Sequence, residues 1–235
     1  MVKKFFKKFI GNTGNNHFEY RHTWVKNTLK NLASGKRILD AGAGERRYFP
    51  FCEHLNYVSQ DFNQYNGMGD GSGLQTGNWD TSKIDIVGDI TSIPENDATF
   101  DAILCTEVFE HIPDPISACK EFSRLLKPGG ELIITAPFAS LTHFAPFHFY
   151  TGFNRYFYEY HLTNFGFKII EMTPNGDYSE FIASEIRRLS TFYGKAPFLI
   201  KFSLSLLLRY ISIRGKKIDS SELCCVGYHI RAVKL

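Results

Sequence analysis

The run Ile38–Gly44, I-L-D-A-G-A-G, constrains this chain more than any other stretch. Its opening residues end an apolar run that reads as a buried β-strand. Asp40 follows, then Gly42 and Gly44, the residue type that lets backbone turn sharply and approach a ligand closely. A strand that ends in such a turn is the nucleotide-cradling corner of a doubly wound α/β sheet. The third glycine of a dinucleotide fingerprint is absent, because its place falls to Arg47. That glycine packs helix on strand where a pyrophosphate sits on the helix N-terminus. Two glycines after a strand-end aspartate suit a nucleoside with a short zwitterionic tail instead, with a plain phosphate or NAD site as the alternative on this stretch alone.

A second acid supports that choice. Tyr57–Asp61 reads as strand two, and Asp61 lies at the spacing from Asp40, about twenty residues, at which an acid meets a ribose diol. Ile84–Asp89 reads as strand three with Asp89 and Ile90 at its tip. Phe100–Cys105 reads as strand four and Glu131–Thr135 as strand five. A helix between them carries Ile116, Cys119, Phe122, Leu125 and Leu126 on one face, and Lys127–Gly130 stops it. Upstream, residues 17–33 read as a helix ended by Ser34 and Gly35. A helix start is expected after Gly44, with Pro50 soon interrupting it. The glycine-rich loop from Asn63 to Lys83 is either a lid or an insertion. Strands alternating with helices imply a parallel sheet with right-handed crossovers.

The chain has 235 residues, 43% hydrophobic and 22% charged, which fits one large α/β domain. A net charge of +3 without a basic stripe argues against nucleic acid as a partner. Five cysteines form no C-x-x-C pair, and Cys224 and Cys225 are adjacent in an apparent strand. Reduced, buried thiols in a cytoplasmic protein are the expectation. The basic, aromatic N-terminus, with Lys3, Lys4, Lys7 and Lys8, is either a lead-in to the first helix or a contact for an anionic membrane surface, in that case the inner one.

Beyond strand five, Phe167–Met172 reads as strand six and 178–193 as an amphipathic helix. Pro197–Ile213 is mostly apolar with Lys201, Ser205 and Arg209 in a narrow polar stripe. Its charges argue against a spanning helix. It reads as a buried helix, a homodimer face or a helix lying on a membrane. Leu223–Val233 supplies the last strand.

In order, I-L-D-A-G-A-G, the acid of S-Q-D-F, G-D-I-T-S-I-P through L-C-T-E-V-F-E-H-I-P, and L-L-K-P-G-G-E-L-I-I-T-A-P resemble the class I S-adenosylmethionine-dependent methyltransferases. That resemblance implies a Rossmann-like, seven-stranded, mostly parallel sheet with helices on both faces and an antiparallel last strand. It divides one domain, 1–235, into a helical lead-in (1–36), a cofactor-binding core (37–137) and an acceptor region (138–235). It implies that Asp40, Gly42 and Gly44 line the methionine end of S-adenosylmethionine. Asp61 would hold the ribose hydroxyls, with Phe62 beside the adenine. Asp89 would accept the adenine amino group with Ile90 on the ring, and Thr106 and Glu107 would face the methyl donor. The region 143–178 further resembles methyltransferases of bacterial surface-polysaccharide and nucleotide-sugar pathways. That second likeness implies O-methylation of a sugar or sugar nucleotide, leaving S-adenosylhomocysteine.

A hydroxyl loses its proton on attack, so a base is useful. His148 and His143 are the candidates, with His111 equally suited to packing. Tyr150, Arg155 and Tyr156 are candidates to grip the acceptor, Arg155 in a bidentate contact. No metal ligand is assigned: His143, His148 and Glu107 could converge on an ion, but their spacing fits no compact ligand motif. Two rivals stand beside this reading: a methyltransferase for a lipid or another small molecule, and a non-catalytic cofactor-binding partner protein.

Overall fold

The structure is a computed structural model that describes residues 12–192, 197–215 and 217–235. The lysines of the N-terminal run lie outside the described residues. Two compact units are present, one of Thr23–Thr173 with Gly227–Leu235, the other of Pro174–Val226 with the described part of Met1–His22.

In chain order the elements are α1 (His17–Lys30), β1 (Arg37–Ala41), β2 (Asn56–Asp61), β3 (Ile86–Val87), β4 (Phe100–Thr106), α2 (Pro115–Leu125), β5 (Leu126–Pro137), α3 (Arg155–Asn164), β6 (Phe167–Asn175), α4 (Tyr178–Phe192), α5 (Phe198–Gly215) and β7 (Gly227–Lys234). They form a seven-stranded sheet of order β3-β2-β1-β4-β5-β7-β6, flanked by helices. The first five strands pair in parallel, and β7 runs antiparallel to β5 with Ile134 opposite Ile230. This is the expected sheet. β1 lies beside the central strand β4 with Ile38–Ala41 all buried, as a parallel strand covered on both faces must be. Ile38, Ala102, Leu104 and Ile133 of three strands pack with Val25 and Leu29 of α1.

Several local expectations are corrected. No α-helix follows Gly44: turns lead to a single 3-10 turn at Phe49–Phe51. Arg46 takes a left-handed φ of +57° there, which a helix cannot contain. The third strand is only two residues long, and just before it the Asp85 carboxylate accepts from Ser59 N–H at 2.8 Å. α2 begins where expected, since Asp114 caps it by accepting from Ser117 N–H at 2.9 Å and Pro115 follows. Ile116, however, is exposed, while Ala118, Cys119, Phe122 and Leu125 form the buried face. β5 starts at Leu126 rather than Glu131, crossing Lys127–Gly130 with a register shift against β4. Cys224 and Cys225 are buried and not joined in a disulfide, but they precede β7 instead of lying in it.

In the smaller unit, Ala183 and Ile186 of α4 pack against Leu208 of α5. Ser205 of the supposed polar stripe is buried, its hydroxyl donating to the Lys201 carbonyl at 2.7 Å. Leu199, Ile200, Phe202, Leu206 and Tyr210 are exposed instead. No helix among the described residues is long and apolar enough to cross a membrane.

Candidate active site

Strand order reverses between β1 and β4, and ligands of open α/β sheets bind outside the carboxyl ends at such a point. A cavity of about 350 Å³ lies there. Gly42, Asp61, Phe62, Asp89, Ile90 and Glu107 line it together, so the tips of β1, β2, β3 and β4 converge on one space. Its other walls include Gln60, Tyr65, Trp79, Val108, His111, Phe144 and Phe147.

The glycine turn is fixed by its neighbours. Gly42 has φ +73°, and a Cβ there would fall 2.5 Å from Val108 Cγ2. Its N–H donates to the Gln60 carbonyl at 2.9 Å. Gly44 N–H donates to Asp61 Oδ2 at 2.9 Å, and Asn63 N–H donates to Asp61 Oδ1 at 2.8 Å. Each oxygen keeps a second lone pair, so the carboxylate can still accept from a pair of hydroxyls. The Gln60 side chain spans from β2 to the third tip, donating from Nε2 to the Gly88 carbonyl at 2.7 Å. Asp89 is exposed at that tip and accepts from Thr91 N–H and Oγ1, both at 2.8 Å and both through Oδ1. Ile90 is buried beside it, and Phe62 meets Phe147 edge to face at 4.9 Å. Glu107 sits at φ +53°, with Oε1 accepting from Thr135 Oγ1 at 2.9 Å.

Asp40, Gly44 and Thr106 do not line the cavity. Asp40 is 2% exposed and accepts from the Tyr57 hydroxyl at 2.5 Å. Burial pushes its carboxyl up to about 7, the Tyr57 hydrogen bond opposes that rise, and the charge of Asp61 adds to it. Asp40 therefore supports the turn from behind. Thr106 pairs with Thr135 in the ladder.

The acceptor-side residues divide. His111 lines the cavity, stacked on Phe144 at 4.8 Å, and that ring stacks on Tyr65 at 4.6 Å. His143 and His148 lie just behind, with ring centroids 4.6 and 5.9 Å from His111 and 4.7 Å from each other. Burial, then the neighbouring His143, lowers the pKa of His148, whose Nε2 lies 3.2 Å from Ser140 Oγ. Tyr150 reaches the rim, its hydroxyl donating to the Pro113 carbonyl at 3.1 Å. Arg155 and Tyr156 do not line the cavity: Arg155 is paired with Glu159 at 2.8 Å, and Tyr156 is 68% exposed on α3.

The loop 63–83 forms a wall. Tyr65 and Trp79 meet edge to face at 5.1 Å and both pack on Phe144, while Phe144 N–H donates to the Leu74 carbonyl at 2.9 Å. Phe144 belongs to the aromatic run whose sequence reading is core or acceptor-pocket wall, whereas Trp79 and Val108 were not among the sequence candidates. Nothing in their spacing marks them, because the loops that carry them meet only in the fold. Gln60 had a signal, its place beside Asp61 at a strand tip.

Acids at the rim and rings along the walls describe a slot for a nucleoside, whose hydroxyls and amino group need acceptors and whose base needs apolar flanks. The class defined by this sheet and this slot is a Rossmann-like domain with a cavity at its switch point. The chain belongs to the methyltransferase-domain family, whose profile matches residues 16–189. Membership of that family carries the expected methyl donor, S-adenosylmethionine, with it. The residues fit that group: Asp61 offers two acceptor oxygens, Asp89 Oδ2 takes no bond from Thr91, and Gly42 leaves no side chain at the turn.

Among curated relatives, the chain is 38% identical over 109 residues to the ubiquinone biosynthesis O-methyltransferase of Xylella fastidiosa, covering 43% of this chain and 42% of that one. It is 33% identical over 97 residues to the enzyme of the same name from Coxiella burnetii, covering 40% and 35%. The match therefore spans less than half the length of these relatives. Among solved structures, the fold resembles phosphoethanolamine N-methyltransferase 2 of Haemonchus contortus in complex with S-adenosyl-L-methionine, with TM-score 0.53, 18% identity and coverage of 97% and 56%. It also resembles the (4+2)-cyclase SpnF, with TM-score 0.54, 18% identity and coverage of 91% and 80%. At such identities these likenesses concern the fold alone.

Proposed function

We propose that the protein transfers the methyl group of S-adenosylmethionine to a hydroxyl oxygen of a small acceptor carrying an apolar, aromatic surface. The observation that carries this reading is the convergence of Gly42, Asp61, Asp89 and Glu107 on one cavity whose remaining walls are mainly rings. The cofactor supplies an electrophilic carbon on a sulfonium. Asp61 accepts from the ribose hydroxyls, Asp89 accepts from the adenine amino group, and Ile90 and Phe62 flank the base. Phe144, Phe147 and Trp79 exclude water and hold the acceptor ring in line. The histidine cluster behind His111 would take the proton that the acceptor hydroxyl gives up on methylation. His148 is the base in this scheme, its lowered pKa keeping the ring neutral near pH 7.

The curated relatives named above are ubiquinone biosynthesis O-methyltransferases, which supports oxygen as the methylated atom and a hydroxylated ring as the acceptor. A sugar or sugar nucleotide is the second reading, favoured by Phe149 at the cavity and Tyr150 at its rim, both exposed faces on which a pyranose would stack. Calorimetry with S-adenosylhomocysteine tests the cofactor, and absence of heat would overturn the reading at its base. Labelled methyl transfer to a panel of phenols and a panel of nucleotide sugars tests the acceptor. Transfer to nucleotide sugars alone would reverse the order of the two readings.

A further inference from the structure

Behind the cavity, two histidines and a buried acid are arranged in a way that methyl transfer by itself does not require. His111 Nδ1 lies 2.6 Å from the Phe147 carbonyl oxygen, and His143 Nδ1 lies 2.8 Å from the Leu141 carbonyl oxygen. A carbonyl oxygen only accepts, so each ring carries its N–H on Nδ1. In a neutral ring that leaves a lone pair on Nε2. Both Nε2 atoms face the same atom, Glu110 Oε1, at 3.7 Å from His111 and 3.8 Å from His143.

Glu110 is 1% exposed, and His111 Nε2 is buried without a hydrogen-bond partner among the described residues. The three ligand atoms lie within 4.8 Å of one another. Lone pairs aimed at a carboxylate oxygen in a low-dielectric place repel one another unless a cation lies between them.

The geometry points to a divalent transition-metal site formed by Glu110, His111 and His143. Two imidazoles and one carboxylate are the donor set of open zinc sites and of related first-row metals, and they disfavour magnesium and calcium. Ligand bonds of about 2.0–2.2 Å place tetrahedral donors roughly 3.3–3.6 Å apart, so the two measured separations need to close by only a few tenths of an ångström. The carbonyl oxygens of Phe147 and Leu141 already supply the outer hydrogen bonds that orient metal-binding histidines.

His111 lines the cavity, so an ion held by its ring would lie close to a bound acceptor, whose hydroxyl would lose its proton more readily beside that charge. The site stands on its own geometry, and only that role rests on the methyltransferase reading. His143 then holds the ion, and His148 remains to take the proton.

The test uses EDTA-treated full-length protein titrated with zinc chloride by calorimetry, and with cobalt(II) chloride by visible absorption. One ion is expected per chain, with cobalt showing the intense bands of a site below six-coordination. His143→Ala should weaken zinc by at least about a hundredfold, since loss of an outer partner alone costs ten to a hundredfold. His161→Ala, a histidine on α3 outside the cluster, should bind as the parent does. Absence of saturable binding to the parent, or equal binding by the two variants, would overturn the site. The cobalt spectrum of the parent decides the matter even where a variant folds poorly. Because neither readout involves methyl transfer, S-adenosylhomocysteine binding without metal binding would refute this inference and leave the proposed activity intact.

Discussion

Asp61 Oδ2 accepts the Gly44 N–H at 2.9 Å, so the acid at the tip of β2 holds the glycine turn that follows β1. Under the proposed function, binding and folding draw on the same carboxylate. Asp61→Asn should weaken S-adenosylhomocysteine by about 1.5–3 kcal/mol, the range for losing hydrogen bonds to a charged group. Asp61→Ala should lose that much and also lower the melting temperature, since Gly44 and Asn63 then lose their acceptor. Calorimetry and thermal melts on the two variants check both parts, and an unchanged affinity in either removes the ribose assignment.

Gly42→Ala should be damaging by geometry alone. A left-handed φ costs a residue with a Cβ about 1–2 kcal/mol, and the new methyl would meet Val108 Cγ2 at 2.5 Å. Adding Val108→Ala relieves the clash but not the φ cost, so the double variant should recover part of the lost stability. Urea unfolding of the single and double variants measures this.

Asp40 makes stability depend on pH with a definite sign. Its folded pKa is raised to about 7 by burial, from an ordinary 3.8. The folded protein thus holds this proton more tightly than the unfolded chain. The associated stability is complete below about pH 3.8, falls as pH rises toward about 7, and is gone above that. Each tenfold in proton affinity is worth about 1.4 kcal/mol, so the full span is on the order of 4 kcal/mol. Asp40→Asn should flatten the slope of unfolding free energy between those limits. An equal slope in parent and variant would show that the carboxyl ionises freely.

His148→Ala should lower kcat by about a hundredfold, a typical loss for a general base, with S-adenosylhomocysteine affinity unchanged. Added imidazole should restore part of the rate, which a merely structural role would not allow. Full activity in the variant assigns the proton elsewhere.

The glycine turn and the acids Asp61 and Asp89 were legible because their meaning is local: a strand, a turn and a carboxylate at its tip are neighbours in the chain. Asp40 shows the limit of that logic. Its position at a strand end was right, but Tyr57, far from it in sequence and beside it in the sheet, takes the carboxyl away from the cavity. Arg155 is similar, since Glu159 one helical turn on takes the guanidinium that was expected to meet an acceptor. The histidines were recognised as candidates, yet Glu110 was not, because a buried acid gives no periodic signal in a short 3-10 turn.

By itself, the sequence determined the succession of strands along the chain, the tip residues that meet at the cavity and the family, since hydrophobic runs and turn residues act over a few neighbours. Tertiary structure alone decided the cavity's walls and the meeting of Glu110, His111 and His143. Those contacts join residues about thirty positions apart through the loop 138–154, and no local rule of spacing or propensity encodes where such a loop will pack.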